Sequence, residues 1–194
     1  MAPAGKHRES ILAAAARLFR RQGYAGTGLS DILAASGAPK GSLYHYFPGG
    51  KAEIGANAVE FAGSLVTGSL AKLAEQHASP GALLKAYAAM LAEWMAQSEW
   101  QAGCPIATVL LETAPGEEAI TAAGARALAS WSDVFVQSLT AKGVPPERSA
   151  RLARMTIAAM EGALLLARVE QSADSILTTA DEIAHLLEDA AELG

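Results

Sequence analysis

The amino-acid sequence predicts an all-α protein of about nine helices, and three observations carry that prediction. Alanine is the commonest residue of the 194-residue chain, while Val, Ile, Thr and Tyr are sparse. Alanine is the strongest intrinsic helix former, and β-branched and aromatic residues are the ones that favour strands. Apolar residues recur at the three- and four-residue spacing of one helix face in segment after segment. Glycine, proline and serine gather in short breaks between those segments. A hydrophobic content of 51% excludes a disordered chain. The single cysteine excludes a disulfide framework and a cysteine-built zinc site.

The first segment, Lys6 to Gln22, places Ile11, Leu12, Ala15, Leu18 and Phe19 on one face with Arg8, Arg17, Arg20 and Arg21 elsewhere, and Gly23 stops it. Thr27 is the expected N-cap of a short second helix through Leu29, Ile32 and Leu33, closed by Gly37. Pro39 suits a first helical position because its φ is already fixed there, so a third helix is expected from Pro39 to Tyr46. Two short helices around the Ser36-Gly37-Ala38 turn make a helix-turn-helix layout, whose second helix can enter a major groove. After Pro48-Gly49-Gly50 a long helix is expected from Lys51 to about His77, then another from about Ala82 to Gln97. Cys104-Pro105 is expected to open a short helix through Thr113. Glu117 and Glu118 suit the first turn of the next, which runs to about Lys142. A helix from Pro146 to about Gln171 follows, and a last one, capped by Ser172 or Asp174, runs to Leu193.

Charge is unevenly spread. Residues 1–51 hold seven Lys/Arg and two Asp/Glu, a charge of +5, while the rest holds eight and eighteen, a charge of −10. A basic head on an acidic body suits a head that meets a polyanion. That head also collects groups that grip phosphate. Thr27, Ser42, Tyr44 and Tyr46 carry hydroxyls, Lys40 and Lys51 are cations, His45 can donate, and two helix starts add oriented N–H groups. Gly41 has no side chain to hold DNA away. Base-edge reading is expected from Pro39, Lys40, Ser42 and Tyr44. The competing reading of these polar residues is a solvated helix face, and of Phe19, Leu29, Ile32, Leu43 and Phe47 a small hydrophobic core.

The stretch from Thr27 to Lys51 resembles the TetR family of transcriptional regulators. The run Lys40-Gly41-Ser42-Leu43-Tyr44-His45-Tyr46-Phe47 is close to that family's pattern, and Arg8, Ile11, Ala14, Phe19 and Gly23-Tyr24 fit its first helix. Gly28 and Pro39 depart from it, removing two hydroxyls. Pro48-Gly49-Gly50-Lys51, Gly103-Cys104-Pro105-Ile106 and the run from Glu161 to Arg168 resemble the LmrA/YxaF-like branch. The resemblance implies residues 1–50 as a DNA-binding domain and residues 51–194 as an effector-binding and dimerisation domain. Implied partners are a palindromic double-stranded operator, a small and often aromatic effector, and a second copy of the chain.

Within the body, the bulky residues Met90, Trp94, Trp131, Phe135 and Met160 are expected to line an adaptable effector pocket, with Phe61, Cys104 and Glu161 beside them. Ordinary core packing is the alternative for each. Ala159, Gly162 and Ala163 permit close helix approach, so with Leu166, Ile183 and Leu187 they are the expected dimer seam. Cys104, at an expected helix start, offers a thiol-sensor reading as an alternative. An all-α enzyme or carrier using the body is a further alternative, yet no phosphate-cradling glycine loop, nucleophile triad or histidine–carboxylate metal set stands out. No metal and no cofactor are expected. The longest apolar run, Met155 to Ala167, is interrupted by Glu161 and falls short of the roughly 20 residues that span a bilayer. Without a leader pattern, the expectation is a soluble cytoplasmic protein with no membrane partner.

Overall fold

The computed structural model describes residues 4–192; residues 1–3, Leu193 and Gly194 lie outside the described residues, and so does the expected end of the last helix at Leu193. The described residues form nine helices and no strand. In chain order they are α1 (Ala4–Gln22), α2 (Leu29–Ser36), α3 (Lys40–Tyr46), α4 (Gly50–Gln76), α5 (Pro80–Gln97), α6 (Ala107–Thr113), α7 (Glu118–Thr140), α8 (Pro146–Glu170) and α9 (Asp174–Glu192). No helix among the described residues is long and apolar enough to cross a membrane.

The helices group into two compact units, one containing the chain up to Leu65 with Cys104–Ala127, the other Val66–Gly103 with the chain from Leu128 on. The continuous helices α4 and α7 contribute to both. In the first unit, α1 packs on α2 and α3. Its apolar stripe Ile11, Leu12, Ala15 and Phe19 is buried, and so are Ile32, Leu43, Phe47 and Ile54. Close packing then ties α4, α6 and α7 together. A Cβ built on Gly55 would lie 2.8 Å from Ile120, one on Gly63 would lie 2.6 Å from Ala127, and one on Gly124 would strike Leu110. Arg126 of α7 also pairs with Glu60 of α4.

In the second unit, α9 packs on α5 and α8. Glu188 accepts hydrogen bonds from the Ser79 hydroxyl at 2.5 Å and from the Gly81 N–H at 3.0 Å, and so joins α9 to the start of α5. Lys85 meets Asp181 at 3.0 Å. Trp131 and Phe135 are fully buried in this unit.

Several boundaries differ from the sequence reading. Gly28, not Thr27, caps α2, and its N–H donates to Asp31 Oδ2 at 2.9 Å. Thr27 is instead turned into the α1–α2 turn, where its hydroxyl donates to the Gly23 carbonyl at 2.7 Å. Pro39 caps α3 with extended ψ of 142°, so Lys40 is the first helical residue. The sixth helix begins at Ala107 with Ile106 as its N-cap, which leaves Cys104 and Pro105 in the preceding loop. Glu117 donates its N–H to Thr113 and precedes α7. That helix ends at Thr140 because Gly143, at φ +90°, turns the chain and lets the Val144 N–H return to the Leu139 carbonyl.

Candidate nucleic-acid interface

The α3 sequence Lys40-Gly41-Ser42-Leu43-Tyr44-His45-Tyr46 divides into two faces. Leu43, and Phe47 just beyond the helix, are 2% and 0% exposed and anchor it to the head. Lys40, Gly41, Tyr44 and His45 are exposed, and Ser42 and Tyr46 are half-buried. A large aromatic side chain left 63% exposed, as Tyr44 is, beside a lysine and a histidine makes a polar and aromatic face suited to groove edges and sugar-phosphate. His45 and Tyr46 meet edge-to-face at 4.9 Å. Leu29, Leu33, Ala34 and Leu43 join Lys40 and Tyr44 around an open cavity of about 550 Å³ between α2 and α3. The α2–α3 turn is made by Gly37 in the left-handed region at φ +64°.

Gly41 has nothing within 4 Å of a built Cβ and no left-handed φ, so neither folding space nor backbone shape demands glycine there. Alanine at this helical position is favoured over glycine by about 0.5–1 kcal/mol. Gly41→Ala is therefore expected to raise the unfolding midpoint slightly while weakening DNA binding, since the added methyl stands on the exposed face of α3 that is expected to meet the duplex. Denaturant unfolding and a gel shift on the same preparation check the two opposite signs.

The other DNA candidates are more deeply engaged. Thr27 is fully buried, with its hydroxyl committed to Gly23. A Thr27→Val chain is expected to lose about 1 kcal/mol of stability in urea unfolding, the worth of one hydrogen bond, while the affinity of its folded fraction for DNA is unchanged. Lys51 is half-buried, with Nζ 4.6 Å above the Tyr24 ring and 3.4 Å from the Ala25 carbonyl. Pro39 is exposed at the entry to α3. Two further arginines brace the head. Arg8 donates to Asn57 Oδ1 at 2.5 Å and stands 5.6 Å over the Phe47 ring, and Arg17 reaches the Ala35 carbonyl at 3.5 Å.

The body residues divide by exposure. Trp131, Phe135 and Met160 are buried in the second unit, whereas Met90, Trp94 and Glu161 are half-buried there. Phe61, half-buried, and Cys104, 7% exposed, belong to the first unit. Because Cys104 precedes α6 by three residues, the helix-start argument for a lowered thiol pKa does not apply to it. No group of His, Cys, Asp or Glu able to hold a metal occurs among the described residues. Of the seam residues, Leu187, Ala163 and Ile183 are 0%, 2% and 9% exposed within the protomer, so their side chains serve its own packing. Gly162 and Leu166 are exposed and Ala159 is half-buried.

Exposure brings forward further apolar residues beside Leu166 that the expected seam did not include. Met155, Leu165, Leu166 and Val169 on α8 and Leu177 and Leu186 on α9 are all exposed. The run from Met155 to Ala167 is apolar on both sides of the helix, so spacing alone does not separate its inner face from its outer one. Glu112 was passed over as well. It reaches back from α6 to the α1–α2 turn, accepting from the N–H groups of Tyr24 and Ala25, 88 and 87 positions earlier in the chain. No sequence signal marks such a contact, because the partners are backbone groups.

Comparison with known proteins agrees with this geometry. Residues 11–56 match the family model for bacterial regulatory proteins of the tetR family, and residues 80–182 match the model for the C-terminal domain of LmrA/YxaF-like transcriptional regulators. The chain is similar to the uncharacterized HTH-type transcriptional regulator Rv0196 of Mycobacterium tuberculosis H37Rv, at 37% identity over 84% of this chain and 85% of that protein. It is 32% identical to the uncharacterized HTH-type transcriptional regulator YxaF of Bacillus subtilis, over 96% of this chain and 98% of its relative. Among solved structures, the regulatory protein TetR from Rhodobacter sphaeroides superposes with a TM-score of 0.78 at 26% identity, covering 92% of this chain and 97% of the other. Matched by models at both its helix-turn-helix and its C-terminal helices, the chain belongs to the TetR family of DNA-binding transcriptional regulators, in the LmrA/YxaF-like branch.

Proposed function

We propose that this regulator is a homodimeric repressor that holds a palindromic operator through residues 1–50 and releases it when a small, aromatic molecule binds within residues 51–194. The observation that carries the reading is the outward face of α3, where Lys40, Tyr44 and His45 are exposed while Leu43 is buried beneath them. Pro39, Gly41 and Ser42 complete the part of that face that approaches base edges, and Tyr46 and Lys51 lie at the sugar-phosphate margin. Thr27, buried in the turn before α2, serves the stability of the head rather than its DNA-facing surface. A second copy, paired through the outer faces of α8 and α9, supplies the matching recognition helix, about 34–36 Å away for half-sites one turn apart. Repression follows from occupying promoter DNA in the cytoplasm, where that DNA resides.

The effector residues are drawn from Phe61, Met90, Trp94, Cys104, Trp131, Phe135, Met160 and Glu161. An effector releases DNA only to the extent that it prefers the DNA-free state, a coupling typically of about 1–3 kcal/mol. The test has two steps. The protein selects duplexes from a random pool, and the enriched sequence is expected to be a palindrome. Small aromatic compounds are then screened by thermal shift, and those that raise the melting temperature are expected to weaken the selected duplex. Failure to enrich any sequence overturns the operator reading. Stabilising compounds that leave DNA affinity unchanged overturn the release reading.

A further inference from the structure

We propose that Glu112 is a positioning residue that pins the helix-turn-helix head to the frame formed by α4, α6 and α7, and so sets the spacing at which a dimer reads its two half-sites. The inference rests on the palindrome-binding dimer of the preceding reading and names a device that controls it. Glu112 Oε1 accepts from the Tyr24 N–H at 3.0 Å, and Oε2 accepts from the Ala25 N–H at 2.6 Å. A turn that directs successive N–H groups to one point forms an anion-holding concavity, and here an internal carboxylate fills it. Gly23, at φ +81°, opens the turn, and a Cβ built on it would fall on the Glu112 carboxylate.

The pinned turn leads directly into α2 and α3. Phe19 of α1 packs against the Tyr24 ring at 5.3 Å, Gly28 caps α2 three residues after Ala25, and Lys51 of α4 covers Tyr24 from another side. Burial, and then the Glu117 carboxylate, push the Tyr24 hydroxyl above its ordinary pKa. Glu112 itself stands on a stiff support. Leu110 on the same helix occupies the space left by Gly124 of α7, and α7 is held to α4 at Gly55–Ile120 and Gly63–Ala127. A shift of α6 therefore carries the carboxylate with it, and the turn, α2 and α3 follow through two charge-assisted hydrogen bonds.

Removing the pin frees the head without removing any group from the DNA-facing surface. Contact with one half-site is then retained, whereas the match to two half-sites at fixed spacing is weakened. The experiment compares wild type, Glu112→Ala and Glu112→Gln on the palindrome selected by wild type, on a single half-site duplex, and on palindromes with the spacer changed by one or two base pairs. Glu112→Ala is expected to bind the palindrome about tenfold more weakly, the order of one charge-assisted hydrogen bond, with half-site affinity unchanged and discrimination between spacers reduced. Glu112→Gln, which keeps one acceptor oxygen, is expected to fall between. An equal loss on palindrome and half-site, or undiminished spacer discrimination in Glu112→Ala, overturns the inference while leaving the operator reading standing. Failure of wild type to select any duplex overturns that reading and the inference with it.

Discussion

Alanine at Tyr44 or Lys40 is expected to weaken the selected palindrome about 30-fold or more, with little change in stability. Each good contact to a base edge is worth about 1–3 kcal/mol, and a two-fold complex loses it at both half-sites. Both side chains are exposed, and Tyr44 is the most exposed aromatic of the head. Neither truncation opens a cavity, so unfolding free energies should stay within about 0.5 kcal/mol of wild type. The two variants should differ in one respect. Lys40→Ala removes a cation from each protomer, so the slope of log affinity against log salt should become shallower by about 2 per dimer, whereas Tyr44→Ala should leave it nearly unchanged. Titration of labelled duplex at several salt concentrations reads both quantities. Unchanged affinity in both variants would show that α3 is not the recognition helix.

Glutamate at both Leu165 and Val169 is expected to leave a folded monomer that no longer binds the palindrome tightly. These residues are 64% and 75% exposed in the protomer, one helical turn apart on α8. Leu166 and Met155 on α8, and Leu177 and Leu186 on α9, are exposed as well. A protomer gains little by displaying so many large apolar side chains to water; in the proposed dimer a second copy would bury them, and stable interfaces remove about 1,200–2,000 Å² in total. Gly162, with open space where a Cβ would stand, lets another helix approach closely. Two glutamates per protomer place four carboxylates in that seam, and each costs several kcal/mol to desolvate without a partner. Light scattering at micromolar concentration should report half the wild-type mass with helical content retained, and the gel shift on the palindrome should be lost. A dimer that survives the double substitution would move the seam off this face.

Much of the architecture was readable because its signals are local. The apolar spacing of Ile11, Leu12, Ala15 and Phe19, the stops at Gly23 and Gly37, and the breaks at Pro48-Gly49-Gly50 and Ser79-Pro80-Gly81 report on a few neighbouring residues. The head motif was readable for the same reason, since Leu43 and Phe47 must face inward if Lys40 and Tyr44 face outward on one short helix. Boundaries slipped where a side chain had two uses. Thr27 has the chemistry of an N-cap, yet the Gly23 carbonyl claimed its hydroxyl, and Asp31 satisfied the Gly28 N–H instead. Cys104-Pro105 looked like a helix start, and the helix waited until Ala107.

The sequence by itself determined that this chain is helical, that its basic head carries a helix-turn-helix, and that its residues resemble TetR regulators, because periodicity, charge and motif spacing are properties of neighbouring positions. Tertiary structure decided which apolar side chains remain uncovered. It assigned Ala163, Ile183 and Leu187 to the protomer interior and left Leu165 and Val169 outside, a division that a helix apolar on both faces does not encode in its spacing. It also decided that Glu112 meets Tyr24 and Ala25. The physical reason is common to both: burial and long-range hydrogen bonds to backbone depend on which helices meet, and only the packed chain specifies that.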